Sequence, residues 1–125
     1  MAKTAPDLTM IYNELLKVHK PFEKTFENRA EKGIDLWTDK PMELMGRKYP
    51  NMFFASVKPM KGYVGFYYMP IYCDPKIGTK LNPDLMKMLK GKSCFHIKTW
   101  SKELAGHITA ALKLGMAGYK ERGWI

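Results

Sequence analysis

The chain has 125 residues, of which 46% are hydrophobic, 13% aromatic and 26% charged. That length suits a single domain over 1–125, and that composition excludes a disordered, collagen-like or coiled-coil chain. The net charge of +9 lies mostly in residues 76–125, which hold 10 basic and 3 acidic residues, yet the Lys residues are scattered singly, as on a solvated surface.

Residues 1–4 are expected to form a loose tail. Thr4-Ala5-Pro6-Asp7 has the features of a helix start, with Thr4 as cap, an early proline and an acid three residues after the cap. Ile11, Leu15 and Val18 follow at helical spacing, with Leu8 and Tyr12 on the same side. Pro21 either kinks this helix or opens a second one. Phe22, Phe26 and Ala30 continue the helical period until Gly33 offers a stop.

The period then changes. Ile34–Thr38, Met42–Met45, Met52–Val57 and Tyr63–Met69 are strand candidates, and together they suggest an antiparallel meander. Lys58–Gly62 predicts a hairpin loop between the last two. Asn82 caps a short helix that begins at Pro83 and ends at Gly91. Ser93–Lys98 alternates as one more strand. Ser101 caps the last helix, whose apolar face is Leu104, Ile108, Ala111, Leu112, Gly115 and Tyr119. The expected fold is α+β: an antiparallel sheet of about five strands with the N- and C-terminal helices packed on one face.

Both faces of the two central strands are apolar. In one, Tyr63, Gly65, Tyr67 and Met69 alternate with Val64, Phe66 and Tyr68; in the other, Met52, Phe54 and Ser56 alternate with Phe53, Ala55 and Val57. A sheet that meets water on one side shows a polar face there. An uncovered aromatic face marks a binding surface, unless segment 70–81 covers it. The ten methionines suit such a surface, because Met repacks around varied shapes.

Three other patterns bear on chemistry. Lys61–Tyr68 partly matches the strand signature of an RNA recognition motif, but Val64, Gly65 and Phe66 depart from it and the chain opens on a helix, so nucleic acid is not the expected partner. Glu23, Glu27 and Glu31 would form an acidic ridge on one helix face, able to hold a hard cation weakly. Lys20, Lys24 and Lys32 lie beside it, with Lys20–Glu23 and Lys24–Glu27 at helical pairing distance. Cys94 and His96 face one side of a strand, without the spacing that completes a metal site. No nucleophile elbow, phosphate loop or zinc-binding helix motif is present. The two cysteines are expected to be reduced thiols. No apolar run is long enough to span a membrane, and MAKTAPDLT lacks a signal peptide's apolar stretch, so the expected location is the cytoplasm.

Met69-Pro70-Ile71-Tyr72 and Leu89–Lys98, which reads LKGKSCFHIK, resemble the YdhG-like family, a bacterial domain of unknown function. The resemblance covers residues 34–125 and is best over 62–119. It implies a small α+β sandwich similar to frataxin. One branch of the family is described as a frataxin-like iron chaperone, which implies iron as cargo and would have to use Glu23, Glu27 and Glu31. The residues themselves favour a binding domain without catalysis or cofactor. Its small-molecule or protein partner would meet the aromatic face at Tyr63, Tyr67, Met69 and Tyr72, and self-association is left open. Iron delivery and an enzyme of unrecognised type are the alternatives.

Overall fold

The computed structural model describes residues 7–125. The expected cap Thr4 and the tail 1–4 lie outside the described residues. Asp7 caps helix α1 (Leu8–His19), its carboxylate accepting the Met10 amide at 3.0 Å. Ile11, Leu15 and His19 form the buried stripe of α1.

Pro21 falls in a short 3-10 helix, Lys20–Lys24. The helix expected up to Gly33 does not continue. Asn28 explains the break: its side-chain oxygen accepts the amides of Ala30 and Asp35, each at 3.0 Å, and its side-chain nitrogen donates to the Gly33 carbonyl. A side chain that satisfies the backbone this way competes with a helix and organises a turn. Residues Glu27–Asn28 form strand β1 instead.

The chain then lays down β2 (Ile34–Trp37), β3 (Met42–Leu44), β4 (Arg47–Tyr49), β5 (Phe53–Pro59) and β6 (Val64–Tyr68). Helix α2 (Met69–Cys73), a 3-10 helix at Pro75–Lys80, helix α3 (Pro83–Met86) and strands β7 (Leu89–Lys90) and β8 (Cys94–Ile97) follow. Helix α4 (Lys102–Glu121) closes the fold. Asn82 and Ser101 cap α3 and α4 through their side chains.

The strands make a six-stranded antiparallel sheet in the order β1-β2-β5-β6-β8-β7, with β3 and β4 as a separate two-stranded ribbon. The α+β architecture matches the sequence expectation, with more strands and without a simple meander. β2 reaches its partner β5 only after the ribbon has left the sheet and returned. Thr38 closes that excursion: its amide donates to the Met52 carbonyl at 2.9 Å, and its hydroxyl accepts the Met52 amide at 2.8 Å.

One face of the sheet is covered. Val64, Phe66 and Tyr68 of β6, and Phe95 and Ile97 of β8, are buried. His19 of α1 meets the Phe66 ring edge-on at 5.2 Å, Tyr119 of α4 meets Phe54 at 5.3 Å, and the Tyr68 hydroxyl donates to the Ala111 carbonyl of α4. All six expected apolar positions of α4 are buried. The expected phase of β5 holds only in part. Leu36 pairs with Ala55 and Trp37 with Phe53, so Phe54 is an extra residue. This β-bulge resets the alternation, so that Phe54 turns inward together with Val57 while Phe53 and Ser56 turn outward.

Candidate functional site

The other face of the sheet carries a cleft, built outward from β6. Gly65 has no side chain, and a Cβ placed there would lie 2.9 Å from the Tyr67 ring. The Tyr67 ring therefore lies back over Gly65 and presents a flat aromatic floor. The register sets Ser56 on one side of Tyr67 and Cys94 on the other. Partial burial raises the Tyr67 hydroxyl's pKa above its ordinary value, and the neighbouring Cys94 thiol adds to this. The Lys58 ammonium is 5.8 Å from the Tyr67 ring centroid, a cation–π approach.

Helix α2 supplies one wall. Pro70, Ile71 and Cys73 are buried, leaving Met69 and Tyr72 to face the cleft. Gly115 lets α2 seat on α4, since a Cβ there would lie 2.5 Å from Pro70 Cγ. The ribbon supplies the opposite wall through Leu44 and Tyr49. Trp37 and Phe53, tilted against each other at 5.5 Å, complete the apolar end. The Trp37 indole N–H donates to Asp35 Oδ1 at 2.9 Å, and the Arg29 guanidinium lies 4.7 Å from the Trp37 ring centroid.

The cleft holds about 590 Å³, within the ~300–1,000 Å³ range of small-molecule sites. Ring and aliphatic side chains dominate its lining, with Asp35, Asn51, Ser56 and Lys58 as its polar groups. Binding sites for small molecules combine such surfaces with a few fixed polar handles. A second hollow, of about 540 Å³, lies beyond Tyr72, between Met45, Ile71 and Met86.

No family model matches the chain, and no curated protein or solved structure matches it.

Of the residues expected at the site, Tyr67, Met69 and Tyr72 line the cleft together. Met69 does so as the first residue of α2 rather than the last of a strand. Tyr63 lies outside this lining and stacks on His96, with ring centroids 3.7 Å apart. Segment 70–81 does not cover the face: its α2 portion forms a wall. The acidic ridge is not formed. Glu23, in the 3-10 helix, accepts from the Asn28 side chain, Glu27, in β1, pairs with Arg29, and Glu31 is exposed in a bend. Without a helix beyond Lys24, the spacing of four has no common face. The expected Lys20–Glu23 and Lys24–Glu27 pairs do not form; the ion pairs among the described residues are Lys17–Glu14, Arg29–Glu27 and Lys87–Asp84.

Cys94 and His96 share the open side of β8, as their spacing predicts. Among the described residues no group of three or more His, Cys, Asp or Glu is placed to hold a metal ion. Both cysteines are free thiols. No helix among the described residues is long and apolar enough to cross a membrane. Sequence reasoning missed Trp37, Phe53, Leu44, Tyr49 and the polar pair Asp35 and Lys58. Trp37 and Phe53 carried a signal, being large aromatics at the ends of paired strands; the ribbon residues carried none.

Proposed function

We propose that this chain is a non-enzymatic binding module that takes a small molecule with a flat apolar body in the open-face cleft. The observation that carries the reading is the cleft of about 590 Å³ floored by Tyr67 and walled by Trp37, Phe53, Met69 and Tyr72. Half-buried aromatic rings leave part of their burial unrealised, ~1 kcal/mol each, which a flat ligand would recover. The reading treats the chain as a YdhG-like domain, the bacterial family that segments 69–72 and 89–98 resemble, working in the cytoplasm without a cofactor.

The test uses the neutral fluorescent probe N-phenyl-1-naphthylamine. Wild-type protein should bind it saturably at one site, with energy transfer from tryptophan. Trp37→Phe should diminish the transfer while retaining binding. Tyr67→Ser should weaken binding about fivefold or more, the scale of one lost ring contact, while the protein stays folded. Absence of saturable binding would overturn the reading. So would a Tyr67→Ser variant that loses several kcal/mol of stability and changes in nothing else, since Tyr67 would then be ordinary core. A change in oligomeric state with Tyr67→Ser, without probe binding, would replace the small molecule by a second copy of the chain.

A further inference from the structure

The two ends of the cleft differ chemically. Trp37, Phe53, Leu44 and Tyr49 give one end ring and aliphatic surface. Asp35, Ser56 and Lys58 line the cleft further along the β2–β5 ladder from the Trp37–Phe53 pair. The register explains their meeting. Asp35 of β2 sits opposite Ser56 of β5, and Lys58 lies two residues further along the same side of β5. Diagonal neighbours of this kind are ~7–8 Å apart. Lys58 has no carboxylate within 4.0 Å among the described residues. The cleft thus holds one cation and one anion that do not pair with each other. Asp35 uses Oδ1 to hold the Trp37 indole, which leaves Oδ2 for a ligand.

Each charge selects against a simpler ligand. A lone anion brought to Lys58 meets the Asp35 carboxylate beside it. A lone cation brought to Asp35 meets the Lys58 ammonium. A neutral ring held against Trp37 and Phe53 gains the apolar contact alone, and where it reaches Asp35 and Lys58 it desolvates both charges and satisfies neither. A molecule bearing both charges next to each other, on a flat body, satisfies each end through charge-assisted hydrogen bonds of ~2.7–2.9 Å.

We propose that the cleft takes a small zwitterion with an aromatic body, of the class of free aromatic α-amino acids. Its ring lies against Trp37 and Phe53, its carboxylate meets Lys58, and its ammonium meets Asp35 Oδ2. This rests on the reading of the cleft as a small-molecule site.

Displacement of N-phenyl-1-naphthylamine by three compounds tests it. L-phenylalanine carries both charges, phenylalaninamide only the cation, and N-acetylphenylalanine only the anion. On wild-type protein, phenylalanine should displace the probe at about fivefold lower concentration than either derivative, the scale of one partly exposed charged contact. Lys58→Gln should bring phenylalanine to the level of the amide. Asp35→Asn should bring it to the level of N-acetylphenylalanine, while its side-chain oxygen still accepts the Trp37 indole N–H. If all three displace equally, or if the variants leave the ranking unchanged, the zwitterion proposal is wrong while probe binding upholds the cleft. Failure of the probe itself to bind would overturn both.

Discussion

The two faces of one sheet solve different problems with the same residue classes. On the covered face rings pack on rings: Phe26 stacks on Phe54 at 4.0 Å, and Phe66 on Phe95 at 5.5 Å. On the open face most rings meet a polar or charged group. Tyr67 meets Lys58, Tyr63 stacks on His96, and Trp37 holds Asp35 and lies under Arg29. Adjacent residues of β6 show the division, with Phe66 fully buried and Tyr67 half-buried. The difference is one of solvation. A phenyl ring contributes by leaving water altogether, whereas tyrosine, tryptophan and histidine keep a polar edge and can stay at a wet surface.

The largest test of that division is a deletion on the covered side. Leu112→Ala, at a fully buried position of α4, should cost ~2–5 kcal/mol in chemical denaturation. Lys113→Ala, one residue on and exposed, should stay within about 0.5 kcal/mol of wild type. Equal small losses would break the assignment of the covered face.

Acid should weaken the covered face selectively, through His19. This side chain is fully buried; its Nδ1–H donates to the Leu15 carbonyl at 2.8 Å, and its Nε2 has no partner among the described residues. Burial lowers its pKa to about 4, outweighing the Leu15 bond, which raises it. The unfolded chain takes up the proton near pH 6.5, so it binds more protons than the native state between about pH 6.5 and 4. Stability should therefore fall as pH drops through that window, by up to about 3 kcal/mol. Urea denaturation from pH 7 to 4 should show this slope in wild type and a shallower one in His19→Gln. Parallel profiles would show that His19 does not titrate between the two states.

The smallest effect sharpens the contrast without touching stability. Cys94 lies half-buried on the open face and Cys73 is buried near α4. Burial raises the pKa of both thiols. In native protein a thiol reagent should modify Cys94 first, with Cys73 reacting only after denaturation. Peptide mapping after brief alkylation reads the order, and equal labelling would show that Cys73 is open to solvent.

The covered face was largely legible in the sequence, because a long helix repeats its signal. Leu104, Ile108, Ala111, Leu112, Gly115 and Tyr119 define one stripe of α4, and Ser101 and Asn82 have the short polar side chains that caps require. The faces of β6 were legible for the same reason, alternation over five residues. The rest depended on partners distant in the chain. The bulge at Phe54 is fixed by β2 across the sheet, so the run Phe53–Ser56 carried no phase of its own. Helix α2 spans only five residues, too few to show a period, and its seat on α4 depends on the missing side chain of Gly115. Asn28 overrode the helical spacing of Phe22, Phe26 and Ala30 through bonds that reach Asp35. Tyr67, Met69 and Tyr72 could be picked out because they flank a strand end; Asp35 and Lys58 looked like ordinary surface charges until the register set them side by side.

The clasp between Thr38 and Met52 has a consequence for how such a protein can change over generations. It makes residues 39–51 a closed excursion whose two ends are already tied together at the sheet. Closing a longer loop costs only about 0.6 kcal/mol per doubling of its length, so the clasp tolerates length changes beyond it as long as Met42 keeps its buried place in the core. Leu44 and Tyr49, which wall the cleft, sit inside that excursion. Insertions, deletions and substitutions around Leu44 and Tyr49 would reshape that wall, while the floor and remaining walls stay on β2, β5, β6 and α2. One wall of the cleft can thus diversify over generations while the sheet that carries its floor is inherited unchanged.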